Sequence, residues 1–259
     1  MEQKSNKFFD IISDSSVRIK TGLILAVSLL IIGFIDSYFI TWVTLGILLT
    51  IAISESMNLF QIDDDRIYYY SGALWLSAYV LPNPQDLIFI ALIIMASVLA
   101  YSKSIDKRLF LPLIYPTASF LFMFALYVDF GMLSLLWLIV IVAGADIGAY
   151  FTGRNIGKTP FCPTSPKKTL EGVAGGVIAS TIFGVLFAID EVSIWGAILI
   201  SVVVSISSVF GDLFESYLKR EAGVKDSGDI LPGHGGILDR SDGFLFGGVV
   251  MFILLRMFV

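Results

Sequence analysis

Asp212, Asp239 and Asp242 stand where long apolar runs meet the charged stretch GDLFESYLKREAGVKDSGDILPGHGGILDRSD, residues 211–242. Carboxylates and cations gathered at such a boundary point to a membrane protein that handles a charged substrate there. Asp212 belongs to a series, Ser205, Ser208, Asp212, Glu215 and Lys219, whose spacing of three and four residues puts all five on one helical face. Asp239 and Asp242 lie three apart at the head of the next apolar run and share a face too. Acids on two helices that meet at an interface suit a hard divalent cation. Mg²⁺ typically takes one or two carboxylates and fills its shell with water and phosphate oxygens. A fourth acid, Asp146, interrupts an apolar run among Gly144, Gly148 and Gly153, and is expected to border a cavity open to water or a cation.

Basic residues complement these acids. In SPKKTLEG, residues 165–172, Lys167 and Lys168 precede the glycine-rich helix start GVAGG. Free N–H groups at a helix start favour anions, so with the Ser165 and Thr169 hydroxyls this is a candidate phosphate site. The GxxxxGK[ST] order of a Walker A loop is absent. Pro232-Gly233-His234-Gly235-Gly236 reads as a flexible connector whose glycines permit close backbone approach to a ligand. His234, the sole histidine, is expected to position this loop rather than bind metal.

The elements that carry these residues are apolar. Hydrophobic residues make up 56% of the chain and charged ones 15%, against about 45–50% and about 25% in soluble domains. With a mean hydropathy of +0.86, this composition is that of an integral membrane protein. The apolar runs are continuous rather than alternating, which argues for helices over a closed barrel. A single cysteine, Cys162, excludes an internal disulfide. The fold class expected is all-α and polytopic. Nine spans are expected near 17–35, 38–54, 67–81, 87–102, 109–128, 131–152, 172–189, 192–211 and 243–259.

With nine spans, 16 of the 17 Lys and Arg residues fall on the side of the N-terminus, and only Arg256 lies near the other. Positive charge stays cytoplasmic. The N-terminus is therefore expected inside the cell, with the connections 153–171 and 212–242 on the same side. Residues 1–128 read as scaffold, with Trp42 and Tyr68-Tyr69-Tyr70 as interfacial aromatics and Pro112 and Pro116 as a kink. Residues 129–259 carry the chemistry.

Ser216-x-Leu218-Lys219-Arg220, Lys225-Asp226 and His234-Gly235-Gly236-Ile237-x-Asp239-Arg240-x-Asp242 closely resemble the motif of phosphatidate cytidylyltransferases, the CDP-diacylglycerol synthases. GAYFTGR and SPKKTLEG, between Asp146 and Gly176, resemble a second block of that family. The resemblance is specific over roughly residues 144–176 and 205–243, and elsewhere amounts to hydrophobicity. Ser241, where the family usually has an apolar residue, and Leu170, where Trp is common, depart from it without removing a charge. The resemblance implies a homodimeric inner (plasma) membrane enzyme, its active site facing the cytoplasm. It would join CTP to phosphatidic acid with divalent metal and release pyrophosphate, with no nucleic-acid partner.

On that reading Lys167, Lys168, Lys219, Arg220, Lys225 and Arg240 handle the two polyanions, Asp226 joins them as a catalytic residue, and Ser165, Thr169, Gly235 and Gly236 flank the nucleotide. Asp212, Asp239, Asp242 and Asp146 hold Mg²⁺, with room for a second mono- or divalent cation. Rival readings are a CTP-dependent transferase or kinase acting on another lipid phosphate or a polyprenol, and an anion-binding transporter. Charges concentrated at one face and in one half argue against transport. In intact cells, a cysteine placed at Thr164 in a Cys162→Ser background should resist an impermeant thiol reagent added from outside. Labelling there would overturn the topology.

Overall fold

An apolar run in hydrocarbon must satisfy each backbone N–H and C=O within itself, and a helix does so. The computed structural model describes the backbone of residues 2–103 and 105–259 and the side chains of residues 19–103 and 105–259. The expectation for Lys4, Lys7 and Arg18 lies outside the described side chains. The helices are α1 (Glu2–Ile35), α2 (Tyr38–Leu59), α3 (Arg66–Ala78), α4 (Leu87–Ser102), α5 (Phe110–Pro112), α6 (Ser119–Ile156), α7 (Leu170–Leu186), α8 (Ile194–Glu221) and α9 (Leu238–Phe258). Among the described residues there is no strand, only isolated bridges between Pro160 and Thr169 and between Leu231 and Gly235.

Among the described residues, five helical stretches are long and apolar enough to cross a membrane: Tyr38–Leu59, Pro84–Ser102, Lys107–Ile156, Ile194–Glu221 and Leu238–Phe258. Ile19–Ile35 and Leu170–Leu186 are shorter apolar helices. The chain is an all-helical membrane protein.

The 50-residue stretch Lys107–Ile156 would measure about 75 Å as a straight helix, against a hydrocarbon core of about 30 Å. It is not straight. Gly131 takes φ 74° and ψ −178°, a backbone open to glycine and strained for other residues. Across this break the Ser134 hydroxyl lies 3.0 Å from the Leu126 carbonyl and 2.7 Å from that of Gly131. Tyr115 and Asp146, about 46 Å apart in a straight helix, both lie within electrostatic reach of Asp242. The chain therefore doubles back at Gly131. A second break falls at Tyr115 (φ −134°, ψ 107°), where the following Pro116 disfavours the helical conformation. The kink expected from Pro112 and Pro116 is present.

Contacts sort the helix ends into two groups. At one end the Thr21 hydroxyl donates to the Pro232 carbonyl (3.1 Å), and Arg108 Nη1 to the Gln61 carbonyl (3.0 Å). Glu55 meets residues 227, 237 and 238 there as well. Between α2 and α3, at this end, Arg66 hydrogen bonds hold the Asp64 carboxyl below the usual carboxylate range. At the opposite end the Tyr38 hydroxyl donates to the Tyr79 carbonyl (2.9 Å), and its ring packs on Phe124 and Tyr127.

The core is built from Phe120, Leu121, Phe124, Trp137 and Leu138 of α6, Ile200 of α8 and Met251 of α9, all fully buried or nearly so. Leu23, Ile24 and Phe34 on α1 and Phe89 and Ile93 on α4 are exposed, as lipid-facing side chains are. Packing rather than hydrophobic transfer drives helices together in lipid, and α6 meets α7 along small residues. A Cβ on Gly148 would stand 2.6 Å from that of Ala179. Trp42 has a partner within the fold. Its indole N–H donates to the Trp75 carbonyl (2.9 Å) and Trp75 returns the bond to the Trp42 carbonyl (3.2 Å), tying α2 to α3.

Candidate active site

α8 is the frame of the site. Ser193 caps its start by accepting from Gly196 N (3.2 Å). The helix runs unbroken to Glu221, so Asp212, Glu215 and Lys219 are helical. Residues 222–237 link α8 to α9, and residues 157–169 link α6 to α7. Residues spaced by three and four had a helical face to occupy, which extended α8 past the apolar run. Ser205, Ser208 and Glu215 on that face are buried. Gly211 lies where α8 crosses α9, and a Cβ there would collide with the Asp242 carbonyl. That close approach brings Asp212 and Glu215 to Asp242. Asp242 is within electrostatic reach of Glu215, Asp212 and Asp146, and Asp146, on α6, within reach of Asp212, Lys168 and Arg240.

Two lysines offset these acids. Lys219 Nζ, with its side chain 12% exposed, lies 2.9 Å from Glu215 Oε2 and 2.6 Å from Asp239 Oδ1. It thereby joins α8 to the start of α9. Lys168, from the connection before α7, pairs with Asp212 Oδ2, and the Ser216 hydroxyl lies 3.3 Å from Asp212 Oδ1. Removing one partner from a buried pair costs about 3–5 kcal/mol, because the other charge is stranded.

The connection 222–237 is cross-tied. Asp239 Oδ2 accepts from Ser227 N (2.8 Å) and Gly236 N (2.8 Å). Gly233 (φ 73°) and Gly235 (φ 83°) turn the chain so that Leu231 N donates to the Gly235 carbonyl at 2.9 Å. His234 serves through its backbone: its N–H donates to the Leu231 carbonyl (2.8 Å), and its carbonyl accepts from Arg240 Nε (2.9 Å). From α2, buried Glu55 accepts from Ile237 N (2.9 Å) and Leu238 N (2.8 Å), and so caps the start of α9. The Ser227 hydroxyl stands between two carboxylates, 3.1 Å from Glu55 Oε2 and 2.9 Å from Asp239 Oδ2.

The connection before α7 folds on itself. Phe161 N donates to the Lys168 carbonyl (2.8 Å) and Leu170 N to that of Thr159 (2.9 Å). The Phe161 ring lies 6.4 Å from that of Phe210 on α8. This fold aims Lys168 at Asp212.

Residues 16–258 match the model of the cytidylyltransferase family. The chain belongs to that family. It is 41% identical over 238 residues to a phosphatidate cytidylyltransferase of Helicobacter pylori, covering 91% of this chain and 90% of the relative. A Staphylococcus haemolyticus protein of the same name is 36% identical over 227 residues, 81% and 87% of the two chains. A third, from Thermotoga maritima, is 41% identical over 153 residues, 56% and 57% of the two.

In this cytidylyltransferase-family chain the fold gathers Asp146, Lys168, Asp212, Lys219, Asp239, Arg240 and Asp242 at one end of the helices. Lys167, Lys225 and Asp226 are exposed beside them, and Arg220 Nη1 donates to the Val224 carbonyl (3.3 Å). Other expected ligand-binding groups are committed within the protein. Thr169 caps α7 by accepting from Gly172 N (3.1 Å), while at Ser165 it is the backbone carbonyl, not the hydroxyl, that accepts from Lys168 N (3.1 Å). At the α7 start, the Glu171 carboxylate already takes the N–H groups of Lys158 and Thr159 (both 3.1 Å). The Gly236 N–H serves Asp239 and Gly235 forms the turn. Both Asp239 oxygens are engaged, one by Lys219. Among the described residues no three acidic, thiol or imidazole groups form a ready metal cage. Asp212, Asp242, Asp146 and Glu215 nonetheless offer hard oxygens, and buried Glu215 Oε1 has no donor against it, its carboxyl lying beside that of Asp242. That donor set suits Mg²⁺, which shares its shell with phosphate and water.

Sequence reasoning put Glu215 on the right face without assigning it to the site, and missed Glu55. An acid ending an apolar run was the available signal at Glu55; its partners lie up to 183 residues away. Glu55→Ala leaves two buried N–H groups without an acceptor. It should destabilise the fold by on the order of 2–5 kcal/mol and speed amide hydrogen exchange at residues 226–238 selectively. Unchanged exchange there would remove Glu55 from this role.

Proposed function

We propose that this chain transfers the cytidylyl group of CTP to phosphatidic acid, giving CDP-diacylglycerol and pyrophosphate. The observation that carries the reading is the joined cluster Asp146, Lys168, Asp212, Glu215, Lys219, Asp239 and Asp242. It lies in a chain 41% identical over 91% of its length to a protein named for that activity. A phosphate oxygen of the lipid attacks the α-phosphorus of CTP, a P–O bond forms, and the bond to the β-phosphate oxygen breaks. The lipid phosphate monoester, with a second pKa near about 6 by analogy with protein phosphomonoesters, is already an anionic nucleophile at neutral pH. No protein base is needed, and His234 is free of that duty.

The task left to the protein is bringing two polyanions together, by positioning and by cationic stabilisation. Lys168 and Lys219, with Arg240 and the exposed Lys167, Arg220 and Lys225, supply that charge. Asp212, Asp242, Asp146 and Glu215 would hold Mg²⁺, with Asp239 joining if Lys219 turns to phosphate. When bound, the ion neutralises charge shared between lipid phosphate and nucleotide. Gly211 keeps the two acid-bearing helices close enough for this.

The reading extends to placement. Nine crossings, with the stretch Lys107–Ile156 passing twice by way of Gly131, put the N-terminus and the site in the cytoplasm. The enzyme resides in the inner membrane as a homodimer. Grouping of Thr21, Glu55, Arg108 and the 222–237 connection at one end supports the alternation.

Purified protein in detergent with phosphatidic acid, labelled CTP and Mg²⁺ should form a labelled nucleotide-lipid and pyrophosphate. Asp242→Asn should lower turnover roughly 30- to 1,000-fold, about 2–4 kcal/mol, and Lys168→Ala should cost more than Lys103→Ala. Absence of product in the unmodified protein would overturn the assignment.

A further inference from the structure

Tyr115 occupies the helix break ahead of α6 and is 4% exposed. Its ring meets Phe214 edge-on (centroids 5.1 Å apart, 89°) and Phe246 likewise (6.3 Å, 70°). Phe214 adjoins Glu215 on α8, and Phe246 lies one turn beyond Asp242 on α9. The ring is thus wedged between the two acid-bearing helices at the level of the acids. Packing of this kind asks for a ring, and phenylalanine would supply it. The hydroxyl answers to something else.

That hydroxyl is buried and has no hydrogen-bond partner among the described residues. A buried polar group left unpaired costs about 1–3 kcal/mol, and such a group usually has a reason. Glu215, Asp242, Asp239 and Asp212 all lie within its electrostatic reach, Glu215 first among them. Glu215 Oε1 is itself buried with no donor against it, its carboxyl lying beside that of Asp242. A donor and an acceptor, each unsatisfied, therefore stand in one neighbourhood. The other oxygen of Glu215 is fixed by Lys219 at 2.9 Å.

We propose that Tyr115 is a positioning residue of the active site, whose O–H fixes the inner carboxylates Glu215 and Asp242, directly or through one bridging water. The proposal rests on the cytidylyl-transfer reading. Lys219 holds one side of Glu215 and Tyr115 the other, so the acids keep their orientation while the site accommodates a cation and two phosphates. A residue from the first half of the chain thereby completes a site otherwise drawn mostly from the second.

Tyr115→Phe, purified and assayed with phosphatidic acid, CTP and Mg²⁺, separates this role from packing. Turnover should fall roughly 10- to 100-fold, about 1.4–2.7 kcal/mol, with KM for both substrates within about threefold. The melting temperature should move by no more than a few degrees, since the change deletes one hydroxyl and its hydrogen bond and keeps the packed ring. Turnover within about twofold of the unmodified protein would overturn the proposal. A fall of more than about ten degrees in melting temperature would overturn it too, since the hydroxyl would then serve the fold rather than the site. If the unmodified protein forms no nucleotide-lipid, the cytidylyl-transfer reading fails and this proposal with it. Product from the unmodified protein alongside unaltered Tyr115→Phe kinetics refutes this proposal alone.

Discussion

Carboxylates crowded at the crossing of two helices repel one another, and the repulsion grows as water is excluded. Like charges 4 Å apart oppose each other by about 4 kcal/mol at an effective dielectric constant of about 20. Lys219, shared between Glu215 and Asp239, and Lys168, paired with Asp212, make the arrangement tolerable. Neither lysine is a surface ornament, since each joins segments that are distant in the chain. The placement of α8, α9 and the connection before α7 follows from keeping those contacts made.

The backbone meets this demand at a few points. Gly211 lets α8 and α9 touch where the acids are, and Gly131 folds one long helical stretch so that both of its arms reach the same end. Asp239 then holds the turn around Gly233 and Gly235 through Ser227 and Gly236. An acid expected only to bind metal is also a structural hub for the loop beside it.

What was legible in the sequence follows the range of the interactions. The face shared by Ser205, Ser208, Asp212, Glu215 and Lys219 was legible because helical spacing is local. So was the all-helical character, because continuous apolar runs leave the backbone few options. The Lys168–Asp212 pair was not, since spacing cannot show two segments meeting in space. Thr169 and Gly236 looked available to a ligand in sequence, but the fold had already engaged their hydrogen-bonding groups. Glu55 and Tyr115 lay in a half read as scaffold, outside the segments that carry the family motif. A lone acid and a lone tyrosine among apolar residues give no sign of what will come to face them.

The bond from Leu238 N to Glu55 spans 183 residues and so sets an order of events during synthesis. The ribosome delivers the carboxylate with α2, while the N–H groups that satisfy it follow as many as 183 residues later. Until then Glu55 must rely on water at the membrane surface, and the early helices cannot close over it. A nascent chain halted before α9 keeps an acid that has nothing to cap. α9 thus acts as a latch on the early helices.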